Sequence, residues 1–378
     1  MQQALIIGAG ITGLTAARSL AEHGFQVTVL EKRDHIGGNA FDYYDNGVLV
    51  HKYGPHLFHT GKKEVADFLQ RFSDFIPYSH RVLGEIDGRL VPIPFNFRSI
   101  DLLFPEREAQ HLKELLTREY PDGGSVPIME LRRHPDAGVQ ELAEFVFRKV
   151  FYNYTKKQWG KPPEEMDASV MGRVPVRMSY DDRYFTDEFQ MMPADGYTAL
   201  FQNMARHENI RIRYGCDACR HIEIVEDGIC FDGELWDGPV IYTGCIEELF
   251  GAEYGRLPYR SLRFELEHHH AERVQPAVQI NYPNRHTYTR TSEFKLVQKE
   301  RIPDRTILMY EYPIPCGDGD IPYYPVESAE SRALYERYRQ RADGIPKLYP
   351  AGRLAEYRYY NMDIAVERAL RLAERICS

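Results

Sequence analysis

The feature that most constrains this chain lies within its first 31 residues. Ala4-Leu5-Ile6-Ile7 reads as a buried strand and runs straight into Gly8-Ala9-Gly10-Ile11-Thr12-Gly13, where a helical spacing of apolar residues begins at Leu14, Ala17 and Leu20. A strand, a GxGxxG turn and a helix in that order leave few folds open. The glycines allow a tight turn and a close backbone approach to a pyrophosphate, which rests on the helix N-terminus where unpaired N–H groups and the dipole favour negative charge. A second strand, Gln26-Val27-Thr28-Val29-Leu30, ends at Glu31, 18 residues after Gly13, where a carboxylate is placed to accept hydrogen bonds from an adenosine ribose. Gly8, Gly10, Gly13 and Glu31 are therefore candidate cofactor contacts.

A second glycine pair follows in Glu31-Lys32-Arg33-Asp34-His35-Ile36-Gly37-Gly38-Asn39. Two more positions without side chains suit a longer dinucleotide lying along the chain, as FAD does, whereas a plain Gly-Gly turn requires no ligand. No second GxGxxG appears, so a separate nicotinamide domain of the kind that feeds electrons from NAD(P)H to FAD is not expected.

With 378 residues, 43% of them hydrophobic, the chain has enough apolar material for one large domain or two to three smaller ones. No apolar run approaches the roughly 18 residues of a membrane span, and the first helix follows a strand and glycines rather than a basic leader, so a cytoplasmic location is expected. A net charge of −9 argues against a nucleic-acid partner, and any anionic ligand needs a local group of arginines. The six cysteines have no framework spacing, which suits a reducing compartment. Tyrosines cluster at Tyr152-Asn153-Tyr154, Tyr323-Tyr324 and Tyr357-Arg358-Tyr359-Tyr360; each offers a stacking face and a hydroxyl, as a sugar-nucleotide site needs and as ordinary aromatic packing also uses.

Beyond the opening unit, Glu106 to Glu119 and Val139 to Tyr152 have three- and four-residue apolar spacing, which places a helical insertion within residues 96–190. Short alternating runs at Ile210 to Arg213, Ile222 to Val225, Val240 to Tyr242, Arg263 to Glu267, Ala277 to Tyr282 and Thr306 to Tyr312 read as strands, too many for a Rossmann half alone. A separate antiparallel sheet is expected, and after Leu348 to Arg353 a last helix from about Met362 to Cys377 returns to the first domain.

Longer motifs sharpen this reading. His51-Lys52-Tyr53-Gly54-Pro55-His56-Leu57-Phe58-His59-Thr60, Tyr154-Thr155-Lys156-Lys157-Gln158-Trp159-Gly160, Gly172-Arg173-Val174-Pro175-Val176-Arg177, Thr287-Tyr288-Thr289-Arg290, Pro322-Tyr323-Tyr324-Pro325-Val326 and Gly352-Arg353-Leu354-Ala355-Glu356-Tyr357 together resemble the bacterial-type UDP-galactopyranose mutases over nearly the whole chain. The resemblance implies an α/β fold: a Rossmann-like FAD-binding domain (1–77, 191–243 and 325–378) with a helical insertion domain (97–190) and an antiparallel β-sheet domain (78–96 and 244–324). It implies a homodimer, reduced FAD as the active cofactor, and interconversion of UDP-galactopyranose and UDP-galactofuranose through a bond between sugar C1 and flavin N5, with no net redox change.

Residue by residue, the resemblance marks Arg173 and Arg290 as the guanidinium groups that grip the diphosphate, and His56 and His59 as neighbours of the flavin ring and sugar. Tyr154 resembles the uracil-stacking residue and Trp159 the cleft-lining one. Tyr184, Tyr359 and one of the pair Tyr323 and Tyr324, with Tyr324 favoured, resemble tyrosines reaching the diphosphate, and Asn281 and His80 are further substrate contacts. Lys32, Gly38, Asn39, Gly352, Arg353 and Met362 join the cofactor set. Asn361 departs from relatives that carry aspartate there, and no role is carried over to it. No metal is expected: His56 and His59 lack a third ligand at a recognised spacing, Cys216 and Cys219 form a single CxxC, and His268-His269-His270 reads as a solvated run. The rival readings are a flavin oxidase or dehydrogenase of the same cofactor class and a non-catalytic binding protein on the same scaffold.

Overall fold

The computed structural model describes residues 2–163, 175–298 and 302–378. The chain forms two compact units, each discontinuous in sequence: 1–77, 187–260 and 318–378 make the first, and 78–186 and 261–317 the second. Among the described residues no helix is long and apolar enough to cross a membrane.

The elements that position the first unit's site are β1 (Gln3–Ile7), α1 (Ile11–Glu22), β2 (Gln26–Leu30), β3 (Phe58–Thr60), β4 (Phe189–Pro193), β5 (Ile210–Arg213), β6 (Val240–Tyr242), β7 (Leu348–Pro350) and α2 (Met362–Cys377). Five of the strands make a parallel sheet in the order β5-β2-β1-β6-β7, with Leu5 opposite both Thr28 and Val240. The apolar run Ala4 to Ile7 is buried throughout, as a central parallel strand covered on both faces must be. α1 packs against α2, so the last helix does return to the opening unit. A small antiparallel sheet sets β4 between β3 and Phe75–Pro77, which puts Gln190 opposite His59. The strands Ile222–Val225 and Gly228–Phe231 pair with each other in a separate antiparallel sheet, while β5 and β6 complete the parallel one.

The second unit carries strands Tyr259–His269, Thr306–Pro315, Arg290–Glu293, Gln279–Asn281, Val82–Ile86 and Arg89–Ile93 in that order, the first of them entering from the other unit. Its helices and its sheet share one core: Val82, Ile86 and Val91 from the hairpin cluster with Phe95, Ile100, Leu116, Leu142 and Phe147 from the helical segment. An amphipathic helix and a sheet with one apolar face bury their stripes against each other, so the helical and sheet parts expected from the sequence are one compact body. Residues 244–260 and 318–324, expected in the sheet part, belong to the first unit, as do 187–190 from the expected helical part. The helix read to Tyr152 continues further. Asp136 caps Ala137–Val146 by accepting from Gly138 and Val139 N–H, a π-helical turn spans Phe147–Tyr152, and Asn153–Trp159 follows until Gly160 ends it in a left-handed conformation (φ +72°).

Candidate functional site

In the first unit the carboxyl ends of β1, β2, β5 and β6 open into a cavity, the place where parallel sheets of this kind bind nucleotides. Gly8, Gly10, Glu31, Lys32, Gly38, Asn39, Gly352, Arg353 and Met362 all line it, and so does His56. Gly13 does not; its hydrogen faces the Gly8 carbonyl, and a Cβ there would stand 2.0 Å from that oxygen. Gly8, at φ +103°, is packed against Thr243, whose Oγ1 would lie 2.1 Å from an added Cβ. Gly10 differs. Its backbone is extended (φ −79°), and an added Cβ would find Gly38 Cα at 3.8 Å, an ordinary contact. The second glycine pair is thus explained as the wall against which the first turn lies, with Gly37 N–H donating to the Ala9 carbonyl at 2.8 Å. Gly10 is the glycine the fold itself leaves room to replace, so its bareness fits a ligand that lies against the turn.

Glu31 is 5% exposed, and its two oxygens accept from Ala9 N–H (2.7 Å) and Arg33 N–H (2.9 Å). The carboxylate therefore ties the glycine turn to the end of β2, and each oxygen has a lone pair left for a hydroxyl donor. Arg33 extends the same wall by donating to Asn39 Oδ1 at 2.8 Å. Arg353 is anchored by its Nε donating to the Tyr360 carbonyl, and its guanidinium carbon lies 4.8 Å from the Tyr359 ring centroid. Tyr359 in turn lies 5.4 Å from Tyr324, whereas Tyr323 lines the cavity. Lys32 sits at the exposed rim, 3.8 Å from Glu248.

Sequence reasoning missed further lining residues, among them Cys216 to Cys219 after β5, Thr243 to Cys245 and Glu248 after β6, and Ile321 and Pro322 beside Tyr323. A signal was present, because loops that follow parallel strands carry the site; what hid it was that a single CxxC and a short strand-end Thr-Gly pair have no spacing of their own.

His56 and His59 are held differently. His51 is buried and its pKa is pushed down to about 3 by desolvation, so the ring is neutral and its Nδ1 accepts the His56 N–H at 3.0 Å. The His56 ring Nδ1 contacts the Gly54 carbonyl at 2.9 Å. His59 on β3 meets Asp187 Oδ2 through Nδ1 at 2.8 Å, and the Asn361 amide nitrogen through Nε2 at 3.4 Å.

In the second unit, three site residues fall in one row across the sheet. Asn281 is opposite Arg290, and Arg290 is opposite Glu311 on the next strand. Glu311 is 2% exposed and accepts from Arg290 Nε at 2.8 Å. Burial pushes its pKa up, while the adjacent guanidinium and a hydrogen bond from Gln158 pull it down. The pair fixes the plane of the Arg290 guanidinium, and Gln279 Nε2 donates to Asn281 Oδ1 at 3.0 Å. Tyr154 and Trp159 lie on the helix that ends at Gly160, whose Lys157 ammonium donates to the carbonyls of Tyr282, His286 and Tyr288 and so binds that helix to the loop before Arg290. Tyr184 N–H donates to the His80 carbonyl at 2.7 Å, the His80 ring contacts Tyr78 OH at 2.9 Å, and buried Arg177 grips the carbonyls of Arg183 and Tyr184. Arg173 lies outside the described residues.

Against known proteins, residues 149–359 match the family model for UDP-galactopyranose mutase, and residues 6–72 match that for an NAD(P)-binding Rossmann-like domain. The chain is 37% identical to a UDP-galactopyranose mutase of Mycoplasma pneumoniae, with 98% of this chain and 95% of the relative covered. It is 35% identical to a dTDP-fucopyranose mutase of Escherichia coli, covering 99% and 98%. A crystal structure of reduced UDP-galactopyranose mutase shares the fold, with a TM-score of 0.73 at 18% identity over 100% of this chain and 95% of that one.

Proposed function

The chain belongs to the UDP-galactopyranose mutase family, and on that premise we propose that it is an isomerase interconverting UDP-galactopyranose and UDP-galactofuranose on reduced FAD, with no net transfer of electrons. What carries this reading is that the relationship to mutases runs over nearly the full length of both chains, cofactor unit and sheet unit alike. The flavin oxidase alternative is less supported, since the full-length relatives at 35–37% identity are sugar mutases.

A reduced flavin held in this cavity would supply a nucleophilic nitrogen for the anomeric carbon. The protein's residues do the remainder. Gly10 and the start of α1 would receive the dinucleotide's pyrophosphate, Glu31 its ribose, and Gly352 and Arg353 its far side. Arg290, oriented by Glu311, stabilises the departing diphosphate and keeps it for return, which a bidentate guanidinium does better than a lysine. Arg173 is proposed as its counterpart. Tyr154 takes the uracil face, Trp159 and Asn281 line the sugar-nucleotide path, and Tyr184, Tyr324, Tyr359 and His80 supply hydroxyl and ring contacts. We assign the protein to the cytoplasm as a homodimer, which light scattering of the purified enzyme checks.

A second substrate reading has its own observation, the dTDP-fucopyranose mutase among the full-length relatives. Both are tested together. Purified enzyme is incubated with UDP-galactofuranose or dTDP-fucofuranose, with and without dithionite, and products are separated by chromatography. Pyranose product from the UDP-sugar only in the reduced sample is expected; preferential turnover of the dTDP-sugar replaces the substrate assignment, and product in the oxidised sample at the same rate overturns the proposal.

A further inference from the structure

We propose that Asp187 and Asn361 form a relay with His59 that holds its imidazole as the Nδ1–H tautomer with Nε2 as an acceptor, and that Asp187 is thereby a positioning residue for the isomerase. The consequence for turnover rests on the mutase reading; the tautomer does not.

Three observations carry it. The first is the Asp187 contact. An ionised carboxylate can only accept, so across the 2.8 Å contact between Asp187 Oδ2 and His59 Nδ1 the proton resides on the ring. The loop bearing Asp187 is fixed for this purpose: Gln190, directly opposite His59 in the β3–β4 ladder, donates from Nε2 to the Asp187 carbonyl at 2.9 Å. The second is the behaviour of Asn361. It occupies the N-cap of α2, where an asparagine normally turns its side-chain oxygen onto the first free N–H groups of the helix, a bond worth about 1 kcal/mol. Here the side chain makes no capping bond, and its amide nitrogen faces His59 Nε2 at 3.4 Å. The third is a parallel tie one residue on, where buried Thr60 Oγ1 donates to Asp363 Oδ2 at 3.1 Å. Consecutive residues of β3 are thus joined to the first turn of α2, whose Met362 lines the cofactor cavity.

The arrangement has a direction. With Nδ1–H spent on Asp187, the other ring nitrogen carries its lone pair towards an amide donor, the same logic by which a buried acid sets the tautomer of a catalytic histidine. Asn361 performs this without charge. A carboxylate in its place would set His59 between two anions and favour the imidazolium. Among the described residues, charged groups on the elements around β3 include Asp363 on the Thr60 side, the Lys62–Glu367 ion pair and the exposed Lys63–Asp67 pair; the helix Lys63–Gln70 also carries Glu64, and α2 carries Arg368, Arg371, Glu374 and Arg375. Position 361 faces Nε2 directly, so an aspartate in place of asparagine there would act on that nitrogen.

The test uses FAD-loaded full-length enzyme labelled with imidazole 15N-histidine. Two-bond proton–nitrogen correlations give the tautomer of each ring, and His59→Gln identifies the His59 signal by its loss. At alkaline pH the wild-type signal is expected to show a protonated Nδ1 and a bare Nε2. Asp187→Ala should lose that preference and lower kcat roughly tenfold or more with KM little changed, while Asp187→Asn, which still offers an oxygen, should restore the tautomer and much of kcat. Asn361→Asp, which turns an acceptor towards Nε2, should place a proton on that nitrogen. A wild-type Nε2–H tautomer, an unmoved His59 Nε2 signal in Asn361→Asp, or an Asp187→Ala enzyme with unchanged tautomer and kcat each overturns the proposal. If Asp187→Ala does not fold, the wild-type and Asn361→Asp spectra decide it. An enzyme with the expected tautomer but no mutase activity sinks the functional reading and leaves the relay standing.

Discussion

Gly10→Ala and Gly13→Ala should separate the part of the glycine turn that serves the ligand from the part that serves the fold. A Cβ at Gly13 would stand 2.0 Å from the Gly8 carbonyl oxygen and 3.2 Å from Ile6 Cγ2. Relieving the first contact to ordinary distance moves the turn or α1 by roughly 1.4 Å, and both are packed, which places the cost at the upper end of the roughly 1–3 kcal/mol of an overpacked site. At Gly10 the added methyl meets only Gly38 Cα at 3.8 Å with the backbone at φ −79°, so apo stability should stay within about 0.5 kcal/mol of wild type. The same methyl occupies the approach of the pyrophosphate. Losing one or two hydrogen bonds to a charged group there is worth about 1.5–3 kcal/mol, or roughly 10- to 100-fold in FAD affinity. The assay is urea unfolding of the apo-protein followed by Trp236, which lies in the first unit, in a Trp159→Phe background, together with fluorescence titration of FAD. Gly13→Ala should fail the first measurement and Gly10→Ala only the second. Equal destabilisation by both, or unchanged FAD affinity in Gly10→Ala, refutes the division of labour.

Glu31→Gln replaces a carboxylate that accepts two backbone N–H groups by an amide that accepts one and confronts the other with a donor, so the apo-protein should lose about 2–3 kcal/mol; an apo urea midpoint equal to wild type would confine Glu31 to ligand binding. Glu247 is buried and hydrogen-bonded by Tyr259 OH at 3.3 Å, and burial pushes its pKa from 4.5 up to about 7. Its folded value exceeds its unfolded one, so the stability it contributes is complete below pH 4.5, is lost as pH rises through about 7, and amounts to about 3 kcal/mol. Unfolding midpoints at pH 5 and pH 8 should therefore differ more for wild type than for Glu247→Gln, and equal slopes count against it. Arg290→Met strands the buried Glu311 carboxylate and should destabilise the protein by about 3–5 kcal/mol besides abolishing turnover, whereas Arg290→Met with Glu311→Leu should regain most of the stability and none of the activity. A double variant no more stable than the single one contradicts the pairing.

Local chemistry was legible in the amino-acid order. Strand, glycine turn, helix and terminal acid are adjacent along the chain, so their order alone marks Gly8, Gly10 and Glu31, which line one cavity, and apolar spacing gives a final helix from about Met362 that spans Met362–Cys377 in the structure. Periodicity likewise marked Glu106–Glu119. It did not reveal that the helix through Tyr152 runs on to Trp159, because the π-helical turn Phe147–Tyr152 changes the number of residues per turn and breaks the spacing on which such a reading depends.

What tertiary structure alone decided are the partnerships between distant residues. Asp187 and Asn361 lie 128 and 302 positions from His59, and no spacing rule reaches across that distance. The row of Asn281, Arg290 and Glu311 exists only once strand register is set, since a slip of one residue would turn each side chain to the opposite face. Sequence determined which elements form and which turn receives a dinucleotide, because those depend on neighbours along the chain; packing determined which acid steadies Arg290 and which pair flanks His59, because those depend on how the sheets and α2 come to rest.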